Sequence, residues 1–281
     1  MFKTQVPHIV DVKPSNVCNF GCAFCYENST PEGSECDPDD MIRFARMLNE
    51  IGTYELSIGG GDPCFFWKGR FLEELYRIVK TFSRGYVSVT TFNASFARKL
   101  MKFYRHYFPN RLFGIGFSVH GLKSVESYID LLNHKPPNVQ LVAQHVWGSV
   151  PFEETIEIMQ MLSQVEGSHL LLLGFKKVGR GETYNNIPIP ENKTLEAVKC
   201  FMKELTISVD SLFVKTYPVF KREFPHSTTD QEGLFSCYID MSEPEALVAP
   251  GSYLKERGVR VKRDELLNPH RFLSLWKRIS D

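Results

Sequence analysis

The chain has 281 residues, 43% of them hydrophobic and 23% charged, enough apolar material for one large α/β domain with a buried core. Lys plus Arg and Asp plus Glu both number 33, so no global charge draws the chain to nucleic acid or to an anionic membrane. No run of 18 apolar residues occurs, and "MFKTQVPHIVDV" lacks a basic stretch followed by an apolar core, so neither a membrane span nor a secretory signal is expected.

Taken in order, short β-branched runs alternate with amphipathic stretches. "HIVDV" (8–12) predicts a strand, followed by a cysteine-rich segment. Asp37 as N-cap and Pro38 at the first helical position predict a helix with Met41, Phe44, Ala45 and Leu48 on one face. "YELSI" (54–58) predicts a second strand ending in "GGGDP", and Phe71, Leu72, Leu75, Tyr76 and Val79 mark the next helix face. "YVSVTTF" (86–92), "LFGIGFSV" (112–119), "VQLVAQHVW" (139–147) and "HLLLLGF" (169–175) predict strands three to six. Helices are expected near 94–105, after Lys123 and from Pro151. Beyond "GRGETYNNIPIPEN" (179–192) the repeat weakens: 194–205 reads as helix, 207–214 as strand and 215–254 as irregular. Asn268-Pro269 then opens a last helix with Phe272, Leu275, Trp276 and Ile279 inward.

Six strand–helix pairs with apolar strands predict a parallel sheet covered by helices on one side, wound by right-handed crossovers into a closed or partial barrel. Chemistry in such folds sits at the C-terminal ends of the strands. The cysteine segment, "GGGDP", "FNAS", "SVHG" and "KKVGRG" all fall there.

Three of the seven cysteines, Cys18, Cys22 and Cys25, lie in "CNFGCAFCY" with the spacing C-x3-C-x2-C. Clustered, odd-numbered cysteines suit a reducing, cytoplasmic setting and metal ligation better than a disulfide framework. A structural zinc site wants a fourth ligand near by, and Cys36 stands alone. A cubane held by three thiolates leaves one iron open to substrate. Purely structural cysteines are the bland alternative.

The spacing C-x3-C-x-aromatic-C, with Phe24 as the aromatic, resembles the signature of the radical S-adenosylmethionine (SAM) superfamily. The resemblance implies an α/β fold, a partial (β/α)6 TIM-like barrel with a C-terminal extension. It implies one 4Fe-4S cluster on Cys18, Cys22 and Cys25 whose open iron chelates SAM. Reductive cleavage of SAM would give a 5′-deoxyadenosyl radical that abstracts hydrogen from substrate. "GGGDP" is similar to the family's Gly-Gly-Glu-Pro motif, which assigns Gly59, Gly60, Gly61 and Asp62 to SAM, with aspartate where glutamate is usual. "TFNA" resembles the end of the family's third strand and assigns Asn93. "FSVHG" resembles the end of the fourth and assigns Ser118, with His120 in place of a common aspartate. "LGFKKVGRG" resembles the adenine-contacting sixth-strand region and assigns Gly174. No catalytic residue is assigned.

"FSCYID" (235–240) and "LVAPGSY" (247–253) resemble a degenerate SPASM or twitch extension, but Gly251 stands where a cysteine is expected and no cysteine follows Cys237. The expectation is therefore a barrel over 1–212 and an extension over 213–281 that caps it without iron. Cys36, Cys64, Cys200 and Cys237 are read as ordinary thiols. The resemblance implies a peptide or small-molecule substrate and an electron donor such as flavodoxin or ferredoxin. No membrane or nucleic-acid partner is expected. The alternatives are a nucleotide-modifying enzyme, with "KKVGRG" and the basic stretch after Lys255 as phosphate contacts, and a non-catalytic iron-sulfur protein.

Overall fold

A computed structural model describes residues 4–280. The βα repeat runs β1 (Ile9–Ser15), α1 (Pro38–Ile51), β2 (Glu55–Gly60), α2 (Phe71–Thr81), β3 (Tyr86–Thr91), α3 (Ala94–Tyr107), β4 (Phe113–Ser118), α4 (Leu122–His134), β5 (Val139–Val146), α5 (Phe152–Ser163), β6 (His169–Leu173), α6 (Glu191–Phe201) and β7 (Thr206–Val209). The remainder comprises α7 (Ser211–Thr216), α8 (Val219–Glu223), β8 (Ser236–Asp240), β9 (Glu245–Ala249), β10 (Val259–Lys262), α9 (Arg263–Leu266) and α10 (Pro269–Ile279). Among the described residues ten strands form one sheet in the order β10-β9-β8-β1-β2-β3-β4-β5-β6-β7. The expected partial barrel is present. It does not close, because β10 and β7 end the sheet.

Register explains the two faces. Val10, Leu56, Val87, Phe113 and Val139 pair across β1 to β5 in one row, and Val12, Ile58, Val89, Ile115 and Leu141 in another. None of these ten is more than 3% exposed, because the helices pack on them. The row between holds Asp11, Ser57, Ser88, Gly114 and Gln140, which point to the other face since side chains alternate along a strand. The interior of the partial barrel is thus polar, and Asp11 in its middle is exposed.

The predicted caps form as expected. The Asp37 carboxylate accepts from the Asp39 N–H at 2.8 Å, and Gly52 ends α1 at φ 88°. Asn268 caps α10 by accepting from the Arg271 N–H at 3.0 Å. Phe272, Leu275, Trp276 and Ile279 are buried, and Phe272 meets Phe44 of α1 edge-on at 5.9 Å. That contact places α10 on the outside of the sheet, against α1.

Two expectations need correction. The strand read over 207–214 is β7 alone. Asp210 then accepts from the Phe213 N–H at 2.7 Å and turns the chain into α7. The stretch 215–254 is not irregular: β8 pairs in parallel with β1, and β9 and β10 continue antiparallel from it. The parallel partner of β8 lies far away in sequence, so no local pattern announces that pairing. No helix among the described residues is long and apolar enough to cross a membrane.

Candidate functional site

The cysteine loop leaves the C-terminal end of β1 and is stapled at its neck. Cys18 N–H donates to Thr30 O at 2.9 Å, and Asn16 N–H donates to Ser34 O at 2.7 Å. Gly33 packs so tightly that a Cβ would stand 2.2 Å from Asn16 O. Gly21, at φ 64°, turns the chain between the first two cysteines, a conformation that favours glycine. The thiols of Cys18, Cys22 and Cys25 are all half-exposed and free. Burial pushes the Cys22 thiol up to about 11, and the nearby Cys25 and Cys18 sulfurs add to the shift. Burial raises Cys18 as well. The Cys18 and Cys22 thiols are therefore uncharged near neutrality until a metal replaces their protons.

Two features grip this loop from across the barrel. Arg180, in the segment after β6, donates from Nε to Cys22 O at 2.9 Å, from its backbone N–H to Cys25 O at 3.0 Å and from its guanidinium to Ser29 O at 2.9 Å. Gly179 sits at φ 59°, and a Cβ there would lie 2.8 Å from Cys25 O. "VGRG" is thus a clamp on the cysteine loop, a role the sequence reading missed; the glycine before the arginine was the only local signal. His120 is the second feature. Its Nδ1 lies 3.8 Å from Cys22 Sγ, its ring stacks on Phe92 at 4.5 Å, and Phe24 meets it edge-on at 5.0 Å. Burial lowers the His120 imidazole to about 4, so the ring is neutral at physiological pH.

The glycine turn adjoins the same neck. Gly61 and Asp62 N–H groups donate to Ser15 O at 2.9 Å and to Val17 O at 3.3 Å, just before Cys18. Gly60 is at φ 102°, and a Cβ on Gly61 would stand 2.2 Å from Val17 O, so neither site admits a side chain. Gly59 closes no contact of this kind. Asp62 is 4% exposed, and its carboxylate accepts from Phe92 N–H at 2.8 Å, Cys64 N–H at 3.1 Å and the Thr91 hydroxyl at 2.9 Å. It ties the end of β2 to the end of β3.

Asn93 follows β3 as the N-cap of α3, accepting from Phe96 N–H at 3.0 Å, with its amide nitrogen 3.7 Å from Cys64 Sγ. Ser118 ends β4 and is half-buried. Gly174 follows β6 directly, and a Cβ there would meet Leu212 and the Phe213 backbone at 2.6 Å, which lets α7 dock on this strand end. The predicted residues thus gather at the C-terminal strand ends, with Gly174 set on the β6–α7 side. The other cysteines scatter: Cys36 and Cys237 are buried and Cys200 is exposed, while half-buried Cys64 lies beside Asp62.

On that β6–α7 side opens a cavity of about 550 Å³, walled by Trp147, Phe175, Lys176, Tyr217 and Tyr253. Phe175 stacks on Tyr184 at 5.7 Å, and Tyr184 meets Phe24 of the cysteine loop at 5.6 Å, so a chain of aromatic rings joins cavity and loop.

The donor set suits an iron-sulfur cluster: three soft thiols on one short loop, beside glycines through which a ligand can approach the backbone. No three His, Cys, Asp or Glu side chains among the described residues converge as ligands of a single ion would. Cubane thiolates each bind a different iron and need no such convergence.

A search of curated proteins by sequence finds no match. Among solved structures, Streptococcus suis SuiB bound to its precursor peptide SuiA is similar with TM-score 0.68 and 15% identity, covering 99% of this chain and 66% of that one. SuiB bound to S-adenosylmethionine aligns at TM-score 0.65 and 14% identity with the same coverage. anSMEcpe, solved with AdoMet and the Cp18Cys peptide, aligns at TM-score 0.58 and 14% identity over 87% of this chain and 74% of that one. At these identities the likeness concerns the fold, and the chain spans 66% of SuiB's length. The family model of the radical SAM superfamily matches residues 12–185, from the middle of β1 through the Arg180 clamp. With that match over more than half its length and the cysteine loop at the end of β1, the chain belongs to the radical SAM superfamily.

Proposed function

We propose that this chain is a radical SAM enzyme acting on a peptide substrate. Cys18, Cys22 and Cys25 would hold the 4Fe-4S cluster. Cluster and SAM together would supply a 5′-deoxyadenosyl radical once an electron donor such as flavodoxin or ferredoxin has reduced the site, in the reducing setting of a cytoplasm. The observation that carries the reading is the meeting of the three free thiols with the Gly59–Asp62 turn at one neck, Ser15 to Cys18.

The chain's own residues then have distinct tasks. Gly60 and Gly61 bring bare backbone to the methionine end of SAM, and Asp62 places a fixed carboxylate at the same turn, favourable to an ammonium group. His120, neutral and with its Nδ1 3.8 Å from Cys22 Sγ, keeps Phe24 and Phe92 packed around the loop. Asn93, Ser118 and Gly174 line the remaining strand ends as SAM contacts. The division into a barrel over 1–212 and a capping extension over 213–281 belongs to this reading; Tyr217 and Tyr253 on the cavity wall support it. Closing that wall would exclude water from a radical.

A peptide is favoured over other small molecules because SuiB and anSMEcpe, whose folds are similar, were each solved with a peptide. The nucleotide alternative relied on the cations of "KKVGRG" and of the C-terminal stretch. Lys176 donates to Ser252 Oγ at 2.8 Å, Arg180 is engaged with the cysteine loop, and Lys255 and Arg263 pair with Glu27 and Asp40.

The test is anaerobic reconstitution followed by iron and sulfide analysis. About four irons per chain are expected in the native protein, with near-complete loss when Cys18, Cys22 and Cys25 are all replaced by Ala. Dithionite-reduced protein is expected to release 5′-deoxyadenosine from SAM. Iron retained in the triple variant, or no cleavage by the loaded native protein, overturns the proposal.

A further inference from the structure

Glu27 follows the third cysteine by two residues, yet its side chain is only 1% exposed. A buried carboxylate without partners is strongly unfavourable, so its surroundings must compensate it. Tyr238 donates its hydroxyl to Oε1 at 2.8 Å, while Lys13 and Lys255 reach Oε2 at 3.0 and 2.8 Å. Lys13, itself buried, also pairs with Asp240 at 2.6 Å. Two cations and two anions make a neutral, mutually bonded set. Such a set is seldom more stabilising than apolar packing, so its position is what calls for explanation.

The set joins four pieces of chain: β1 through Lys13, the cysteine loop through Glu27, β8 through Tyr238 and Asp240, and the turn after β9 through Lys255. Asp11 and Lys13 pair in register with Tyr238 and Asp240, so all four side chains point into the barrel. Cys237, one residue away, faces the opposite side and is buried among the outer helices, where it cannot reach the loop. A second tie lies next door. Lys176 Nζ stands 4.0 Å over the ring of Tyr26 and donates to Ser252. Both residues that follow Cys25 are therefore held, directly or through Lys176, by a segment more than 200 positions further on (Tyr238 is 211 and Lys255 is 228 residues from Glu27).

We propose that residues 236–255 act as a strut for the cysteine loop, with Tyr238 and Lys255 as positioning residues that fix Cys25 through Glu27. The C-terminal segment serves the cluster by holding its loop, with no iron of its own. This inference rests on the reading of Cys25 as a cluster ligand.

Hydrogen–deuterium exchange on the metal-free full chain tests the strut without any need for iron. In a Tyr238→Phe/Lys255→Met variant, amides of residues 22–30 are expected to exchange about tenfold faster, with those of β2 to β5 unchanged. Glu27→Gln, which keeps shape and removes charge, is expected to act in the same direction, whereas Lys255→Arg, which keeps the charge, is expected to leave loop protection at the native level. In the reconstituted double variant a chelator is expected to strip iron about tenfold faster than from the native protein. Unchanged loop exchange, or an equal acceleration throughout the sheet, overturns the strut, and so does accelerated exchange with an unchanged rate of iron loss. Iron retained by the triple cysteine variant sinks the cluster assignment instead, and the metal-free exchange result is independent of it.

Discussion

In the stretch from β1 to β6 every strand pairs with the next strand in sequence, with one α-helix in each connection. The stretch from β7 onward obeys a different rule. β7 extends the far edge, but β8 crosses to the opposite end of the sheet and lies against Ile9–Lys13 of β1, with β9 and β10 folding back beside it. The physical consequence falls on β1. Alone, β1 would be an edge strand with a row of unpaired backbone groups, and the cysteine loop would hang from that edge. With β8 in place β1 is interior, and the loop it carries rises from the middle of a sheet. The N-terminal region thus carries the cysteine loop, and the C-terminal region covers the edge of the strand from which that loop rises.

The largest expected effect asks whether these regions are one cooperative unit. Trp276 is fully buried in α10, which rests on α1. Trp276→Ala should lower the unfolding free energy by about 3–5 kcal/mol. If the regions are coupled, guanidinium unfolding followed by circular dichroism and by tryptophan fluorescence shifts as a single transition. A first phase confined to part of the signal would show that the C-terminal region melts independently.

Next comes a change confined to the N-terminal half of the site. Gly61→Ala forces a methyl group against Val17 O and should destabilise by about 1–3 kcal/mol, with SAM binding lost at temperatures where the fold survives. Calorimetric titration of SAM into reconstituted protein reads the binding, and native affinity in this variant would remove the glycine turn from the site.

A smaller effect is set by pH. His145, inside the β5–α5 layer, contacts Val119 O at 2.9 Å and Thr155 Oγ1 at 3.4 Å, and burial lowers its pKa below the ordinary 6.5. The unfolded chain therefore binds a proton that the folded one refuses. Stability from this group is complete above about 6.5 and declines as the pH falls through that value, by at most about 1.4 kcal/mol per pH unit. Denaturation midpoints between neutral and mildly acid pH should show a shallower slope for His145→Asn than for the native protein, and equal slopes would exonerate this histidine.

The smallest effect belongs to the C-terminal surface. The Arg271–Glu265 pair is half-exposed on both sides, so Arg271→Ala should change stability by less than about 1 kcal/mol. Arg263 also donates to Met241 O and Glu243 O, and its replacement should be felt more in the same melting experiment.

Much of this molecule was legible residue by residue. The C-x3-C-x2-C spacing, the "GGGDP" turn, six strands, the Asp37 and Asn268 caps and the inward face of α10 depend on a few neighbouring positions, because side-chain periodicity and glycine conformations are properties of the local backbone. The partners of those positions were not legible. Nothing near Arg180 says that its guanidinium closes on Cys22 and Ser29, and nothing near Asp62 says that its carboxylate turns to Thr91 and Phe92. The run 215–254 is short in periodic pattern, so β8 became visible only against β1, with β9 folding back on β8.

The sequence by itself determined the repeat, the thiols and the turn, since each follows from steric and hydrophobic preferences acting over fewer than about twenty residues. Tertiary structure alone decided that β8 covers the edge of β1 and that Lys13, Tyr238 and Lys255 meet around the buried Glu27, with Asp240 beside Lys13. A buried charge is tolerable only when every partner arrives together, and that depends on the whole fold rather than on any segment of it.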